Sequence, residues 1–284
     1  MKPRHLRIDF TGVPLAWSPN AEFAWITNSG SPLTSTVEPY LNIVMSRVRD
    51  ALPDSHAELK QQVDIFIRQE AYHYRLHDSF NRELYAAGYP GLKELADQLK
   101  ADLKEMLERR SLVWNLAYCT AFENLATFMA KFWFGRADDL FEGGDPRGIA
   151  LMKWHMAEEF EHRTVCHSAL TVLSGNYFTR VRGLISMMRH LTPYKKKAIA
   201  IVLGQERAEM TPAELAASVA REKAFDRRFE RWMMRQLVGI FRPYYDPADH
   251  PMPRGIPEAL AAYEDIALSA MPADRDRLAP AVVY

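Results

Sequence analysis

Two segments of the chain repeat one chemical pattern. Gln69-Glu70-Ala71-Tyr72-His73 and Trp154-His155-Met156-Ala157-Glu158-Glu159-Phe160-Glu161-His162 each contain Glu-x-x-His, pairing Glu70 with His73 and Glu159 with His162. Three residues is nearly one helical turn, so on a helix each pair projects a carboxylate and an imidazole from one face and can grip a metal ion. Two such pairs, with one glutamate from each of two further helices, make up the ligand set of a carboxylate-bridged dimetal bundle. Glu38 and Glu123 are the candidates for the single glutamates, and His155, four residues before Glu159 and seven before His162, lies on the same stripe as a seventh candidate. The competing reading makes these residues solvated ion pairs. Phe66, Leu76 and Leu84 near Glu70, and Cys119, Phe122, Leu125 and Ala126 near Glu123, describe mostly apolar faces instead. A carboxylate buried there without a cation would be costly.

Elements must exist to carry these residues. From Glu38 onward apolar residues recur at three- and four-residue spacing and strand-like alternation is absent, so the fold expected is all-α. A first helix is expected from about Pro39 to the break at Pro53-Asp54-Ser55, and a second from about His56 to the stop at Gly88-Tyr89-Pro90-Gly91. Leu92 to Glu108 reads as an amphipathic connector with Leu92, Leu95, Leu99, Leu103 and Leu107 on one stripe. A third helix follows Arg109-Arg110-Ser111 and runs to about Gly135, and a fourth starts at Pro146 behind the capping Asp145 and reaches about Leu173. Residues 1–34, rich in Pro, Gly, Ser and aromatics, are expected as an arm packed on the body through Trp17 and Trp25. Residues 35–284 then form one domain, with the metal-binding bundle over about 35–174 and further helices over about 176–284, including one from Thr211 to about Phe241 and a short one after Pro257.

Ligands from different helices must meet at one height. Glu38 and Glu70 each lie about fifteen residues from the turn near Asp54, so at about 1.5 Å per residue an antiparallel pair brings them level. Glu123 and Glu159 stand at similar distances from the loop between Gly135 and Asp145, and a connector of about 25 Å carries the chain back so that the two hairpins align. The architecture expected is a ferritin-like four-helix bundle with a connector helix between helices two and three and additional C-terminal helices.

Composition bounds the rest. The 284 residues are 48% hydrophobic, enough for an extensive core, and 36 Lys and Arg balance 36 Asp and Glu, which gives no reason to expect nucleic acid as a partner. Cys119 and Cys166 are too few for a disulfide framework, and Met1 to His5 opens no apolar signal, so a cytoplasmic protein is expected. One segment is locally basic: Arg180, Arg182, Arg189 and Lys195-Lys196-Lys197 interleave with Leu184, Ile185, Met187, Met188 and Leu191, a pattern that suits either a helix packed on the bundle or weak contact with an anionic membrane surface.

The chain resembles a bacterial family of ferritin-like proteins labelled predicted metal-dependent hydrolases, through Gln-Glu-x-x-His-x-x-x-His at Gln69 to His77 and Trp-His-x-x-Glu-Glu-x-Glu-His at Trp154 to His162. The resemblance covers about Glu38 to Leu173; Val37-Glu38-Pro39-Tyr40 departs from it where the family has Gly-Glu followed by aromatics. His155, Glu159 and His162 are also similar to the His-x-x-x-Glu-x-x-His pattern of di-iron arylamine N-oxygenases, which implies a tuning role for His155.

The leading expectation is an oxygen-activating di-iron enzyme acting on a small or lipid-like substrate, with Glu70 or Glu123 bridging the metals and electrons from a separate reductase. The alternatives are a dimetal hydrolase, with manganese or zinc also admissible, and a non-catalytic iron-binding or oxidant-scavenging bundle. A homo-oligomer is expected. His77 is assigned to support of the ligands, Glu158 and Glu161 to pairing with an arginine such as Arg163, and Cys119, Tyr72 and Tyr118 to packing.

Overall fold

A computed structural model describes residues 1–264 and 267–268. The protein is all-α, apart from a two-residue parallel bridge between β1 (Arg7–Ile8) and β2 (Ala267–Leu268). Its helices are α1 (Ala21–Ala51), α2 (Ala57–Ala86), α3 (Pro90–Arg109), α4 (Leu112–Trp133), α5 (Pro146–His162), α6 (Val165–Leu173), α7 (Tyr177–Glu206), α8 (Pro212–Ile240) and α9 (Ile256–Ala262). Among the described residues no helix is long and apolar enough to cross a membrane.

The first helix begins at Ala21, not near Pro39. Asn20 caps it by accepting from the Phe23 amide, and both Pro32 and Pro39 lie inside it. Each interior proline costs about 3 kcal/mol, and the burial of Phe23, Leu33, Val37, Tyr40, Leu41 and Val44 along the same helix offsets that cost. Only residues 1–20 therefore run as an arm. Trp17 anchors it: the ring is buried, its indole nitrogen donates to Asn28 Oδ1 at 2.7 Å, and it lies so close to Gly148 that an added Cβ there would sit 2.4 Å from Trp17 Cγ.

Asp145 caps α5 as expected, with Pro146 in its first turn. Ser111 likewise accepts from the Trp114 amide at the start of α4, and Thr211 and Glu214 form a reciprocal capping box on α8. The fourth helix is interrupted where a single one to Leu173 was expected: α5 ends at His162, Arg163 and Thr164 turn the chain, and α6 resumes at Val165. Helices α1 and α2 pack as an antiparallel pair, α4 packs on α5 and α6, and α7 lies across both α1 and α4. At the α4/α7 crossing Gly183 meets the Ala117 backbone, which leaves no room for a side chain.

Candidate metal centre

The four longest-range expectations about height meet at one level. Glu38 lies thirteen residues before the end of α1 and Glu70 thirteen after the start of α2; Glu123 is ten before the end of α4 and Glu159 thirteen after the start of α5. All seven candidates, Glu38, Glu70, His73, Glu123, His155, Glu159 and His162, are buried, none more than 4% exposed.

They fall into two groups. Glu38, His73, His155 and Glu159 each offer an atom within 4.8 Å of the others, and so do Glu70, Glu123, Glu159 and His162. Glu159 belongs to both. Its Oε1 lies 3.0 Å from His155 Nε2 and 3.4 Å from His73 Nδ1, while its Oε2 lies 3.4 Å from His162 Nε2. Glu159 thus stands between the two groups alongside Glu70, one of the two residues expected there. Glu159 presents one oxygen to each; Glu70 Oε1 also stands between them, 3.6 Å from His73 Nδ1 and 3.3 Å from His162 Nε2. Within 4.0 Å, Glu123 meets the imidazole of His162, at 3.1 Å, and Glu38 that of His155, at 3.1 Å.

These spacings have a simple physical reading. Ligand bonds of about 2.1 Å place adjacent donor atoms about 3.0 Å apart around an octahedral ion and about 3.4 Å apart around a tetrahedral one. The close imidazole–carboxylate pairs here lie 3.0 to 3.6 Å apart, and every donor atom of a group lies within 4.8 Å of the others. Many of these atoms lack any hydrogen bond: both oxygens of Glu38, Glu70 and Glu123, Oε2 of Glu159, Nδ1 of His73 and Nε2 of His162 are buried without a partner. Unsatisfied carboxylates in a dry interior are among the most expensive arrangements a fold can hold, and metal ions between them are the species that this donor set fits.

Each imidazole is held from behind. His73 Nε2 lies 3.0 Å from Glu158 Oε2, His162 Nδ1 lies 3.2 Å from Gln69 Oε1, and His155 Nδ1 lies 2.8 Å from His77 Nε2. The last contact extends into a chain whose direction is forced. The Ser31 hydroxyl donates to Asn81 Oδ1 at 2.6 Å, so it must accept from His77 Nδ1, 2.8 Å away. His77 Nε2 is then an acceptor, His155 Nδ1 carries the hydrogen, and His155 Nε2 is left to present a lone pair or a second proton to Glu38 and Glu159. Asn81 continues the chain by donating to Ser35 Oγ at 3.0 Å. Supporting groups of this kind fix ring orientation and ligand basicity in metal sites.

Glu158 and Glu161 do pair with an arginine, but it is Arg4 of the arm, at 3.1 and 3.0 Å, and not Arg163. Arg163 donates to the Phe160 and Pro247 carbonyls. Arg4 and Gln69, which donates to Glu161 at 2.8 Å, were not singled out as part of the site. For Arg4 no local signal exists, since 154 residues separate it from Glu158; Gln69 stands within the Gln-Glu-x-x-His motif.

Protonation follows from crowding. Burial pushes the Glu38 carboxyl up to about 7 against the pull of His155, and burial with the Glu159 charge pushes Glu123 up to about 8. Burial and His73 pull the His155 imidazole down, yet Glu38 and Glu159 outweigh them and take it up to about 9. His73 and His162 also rise well above the usual range, because their carboxylate neighbours outweigh burial. Glu159, although buried, is held well below the carboxylate range by the three imidazoles around it, and His77 is kept neutral by burial and by His155 and His73.

With this geometry in hand, comparison with known proteins is decisive at the level of family. Residues 2–251 match the model of a family described as predicted metal-dependent hydrolase. The chain belongs to this family. No curated protein and no solved structure matches it. In this predicted metal-dependent hydrolase family member, the buried carboxylate and histidine groups are the part of the chain that fits metal dependence.

Proposed function

We propose that the protein is a dinuclear metal hydrolase built on a ferritin-like bundle, with Glu38, His73, His155 and Glu159 holding one ion and Glu70, Glu123, Glu159 and His162 the other. The observation that carries this reading is the pair of donor groups sharing Glu159. Charge supports the count: four carboxylates and three neutral imidazoles are balanced by two divalent cations. Such ions supply an acidified water and polarisation of a carbonyl or phosphoryl oxygen. The chain's own residues do the rest. Glu158, His77 and Gln69 fix the three imidazole rings, Arg4 neutralises Glu158 and Glu161 behind them, and Phe66, packed edge-on against His162 with centroids 4.7 Å apart, excludes bulk water from the second group.

The family match favours hydrolysis over oxygen activation, since the model that residues 2–251 match is described as a predicted metal-dependent hydrolase. Oxygen activation on two irons keeps one supporting observation, the extra imidazole His155 beside Glu159 and His162. The test is metal analysis of protein purified without added metal, followed by assays of chromogenic esters, amides and phosphodiesters before and after chelation. Metal-dependent turnover that Glu159→Gln abolishes supports hydrolysis. Ferrous-loaded protein that consumes dioxygen and hydrolyses none of these substrates overturns it in favour of oxygenation, and protein that binds no metal at all overturns both.

A further inference from the structure

Six of the ten large hydrophobic residues exposed among the described residues lie within eight residues of the start of α7 or the end of α8: Phe178, Ile185, Met234, Val238, Phe241 and Tyr244. Singly scattered apolar residues need no explanation, but rows of them leading from one junction do. Two helix stripes carry them. On α7 Phe178, Arg182, Ile185 and Arg189 follow each other at four- and three-residue steps, and on α8 Arg231, Met234, Val238 and Phe241 do the same. The two stripes are tied together where α7 begins and α8 ends. The Tyr177 hydroxyl donates to the Phe241 carbonyl at 2.9 Å, and the buried Arg180 guanidinium donates to the Ile240 and Arg242 carbonyls, the latter at 2.7 Å.

The charge on this patch has one sign. Arg182, Arg189, Arg231, Arg235 and Arg242 are exposed, and among the described residues none of their guanidinium groups is paired with a carboxylate. No Asp or Glu occurs between Tyr177 and Gln205 or between Arg231 and Tyr245; Glu230 and Asp246 mark the edges. A neutral chain has thus collected arginines and exposed apolar side chains in one place.

We propose that this end of the molecule docks on an anionic lipid surface, with the arginines at the headgroups and Phe178, Val238 and Phe241 at the acyl boundary. Interfacial helices combine these two residue classes. A second copy of the chain fits less well, because a two-fold contact through the patch would set arginines against arginines. Nucleic acid would satisfy the guanidinium groups but leaves Ile185, Met234 and Val238 without a role, since phosphate contacts are polar. The helices lie along the surface and do not span it.

The experiment is co-sedimentation of the full chain with phosphatidylcholine vesicles with and without phosphatidylglycerol, at low and raised salt. Each arginine near an anionic surface is worth on the order of fivefold in partitioning. The unmodified protein is expected to sediment with the anionic vesicles only and to be released by salt, and R182E/R242E to bind at least about tenfold more weakly. V238S/F241S is expected to weaken binding at low salt while leaving the thermal midpoint unchanged. No sedimentation at low salt, equal binding by R182E/R242E, or a stable dimer in light scattering that V238S/F241S dissociates would each overturn the proposal. None of these outcomes depends on metal or turnover.

Discussion

Removing metal should reverse the way stability depends on pH. In the metal-free fold between pH 6.5 and 8, His155 with its pKa up at about 9, and His73 and His162 raised well above the ordinary value, retain protons that the unfolded chain has released. Glu123 at about 8 and Glu38 at about 7 add to the same imbalance, since both are ionised in the unfolded chain. The sign follows from linkage: the folded state binds more protons, so stability falls as pH rises. Each fully retained proton removes about 1.4 kcal/mol per pH unit, so the three imidazoles alone contribute up to about 4 kcal/mol per unit. Some groups oppose this without cancelling it: His77, His167 and His250, lowered by burial, are neutral in the fold while the unfolded chain still holds part of their protons near pH 6.5, and Lys153 and Lys195, whose ammonium groups burial brings down to about 8, begin to release theirs as that pH is approached. With metal bound, the imidazoles are neutral in the fold while the unfolded chain still holds part of their protons near the ordinary histidine pKa of about 6.5, so stability should instead rise with pH over the lower part of this range. Thermal melts in chelator and in excess divalent metal, from pH 6.5 to 8, read this directly. Titration calorimetry in buffers of different ionisation enthalpy should show at least about three protons released on loading at pH 7. Parallel pH slopes with and without metal, or release of fewer than about one proton, would refute the reasoning.

Glu159→Gln keeps the shape of the one side chain common to both groups but removes its charge, and should cut bound metal from two ions to one or none by elemental analysis. Arg4→Met leaves Glu158 and Glu161 without their buried counter-charge and should lower stability by about 3–5 kcal/mol in denaturant titration. Gly183→Ala places a methyl group 2.4 Å from the Ala117 carbonyl oxygen, so α7 must lift from α4; a loss of about 1–3 kcal/mol is expected, with metal content unchanged.

Local periodicity and spacing carried most of the site. Glu70 with His73 and Glu159 with His162 could be paired from one helical turn, and Glu38 and Glu123 from their distances to two turns, because rise per residue is nearly constant along a helix. What spacing does not encode is contact between distant segments. Arg4 rather than Arg163 neutralises Glu158, and the helix that delivers Glu38 starts eighteen residues earlier than Pro39 suggests. In that second case the misleading signal was real chemistry: Pro32 and Pro39 do remove backbone donors, and the favourable burial that outweighs them is a property of the assembled core. The turn after His162 has a similar cause, since no glycine or proline marks it.

The supporting shell also makes the two donor groups unequal. The first combines two imidazoles with two carboxylates, and one of those imidazoles, His73, is backed by a carboxylate, Glu158, that increases its donor strength. The second combines one imidazole with three carboxylates, and that imidazole, His162, is backed only by the neutral amide of Gln69. Nitrogen-rich and oxygen-rich sites differ in the metals they favour, zinc and iron on one side, manganese and magnesium on the other. Were two ions held here, the Glu38 end would offer the more strongly donating imidazoles and the Glu123 end the greater negative charge. Substrate polarisation and water activation, the two tasks of a two-metal hydrolase, would then fall to different ends of the site, through the donor residues and the groups that back them.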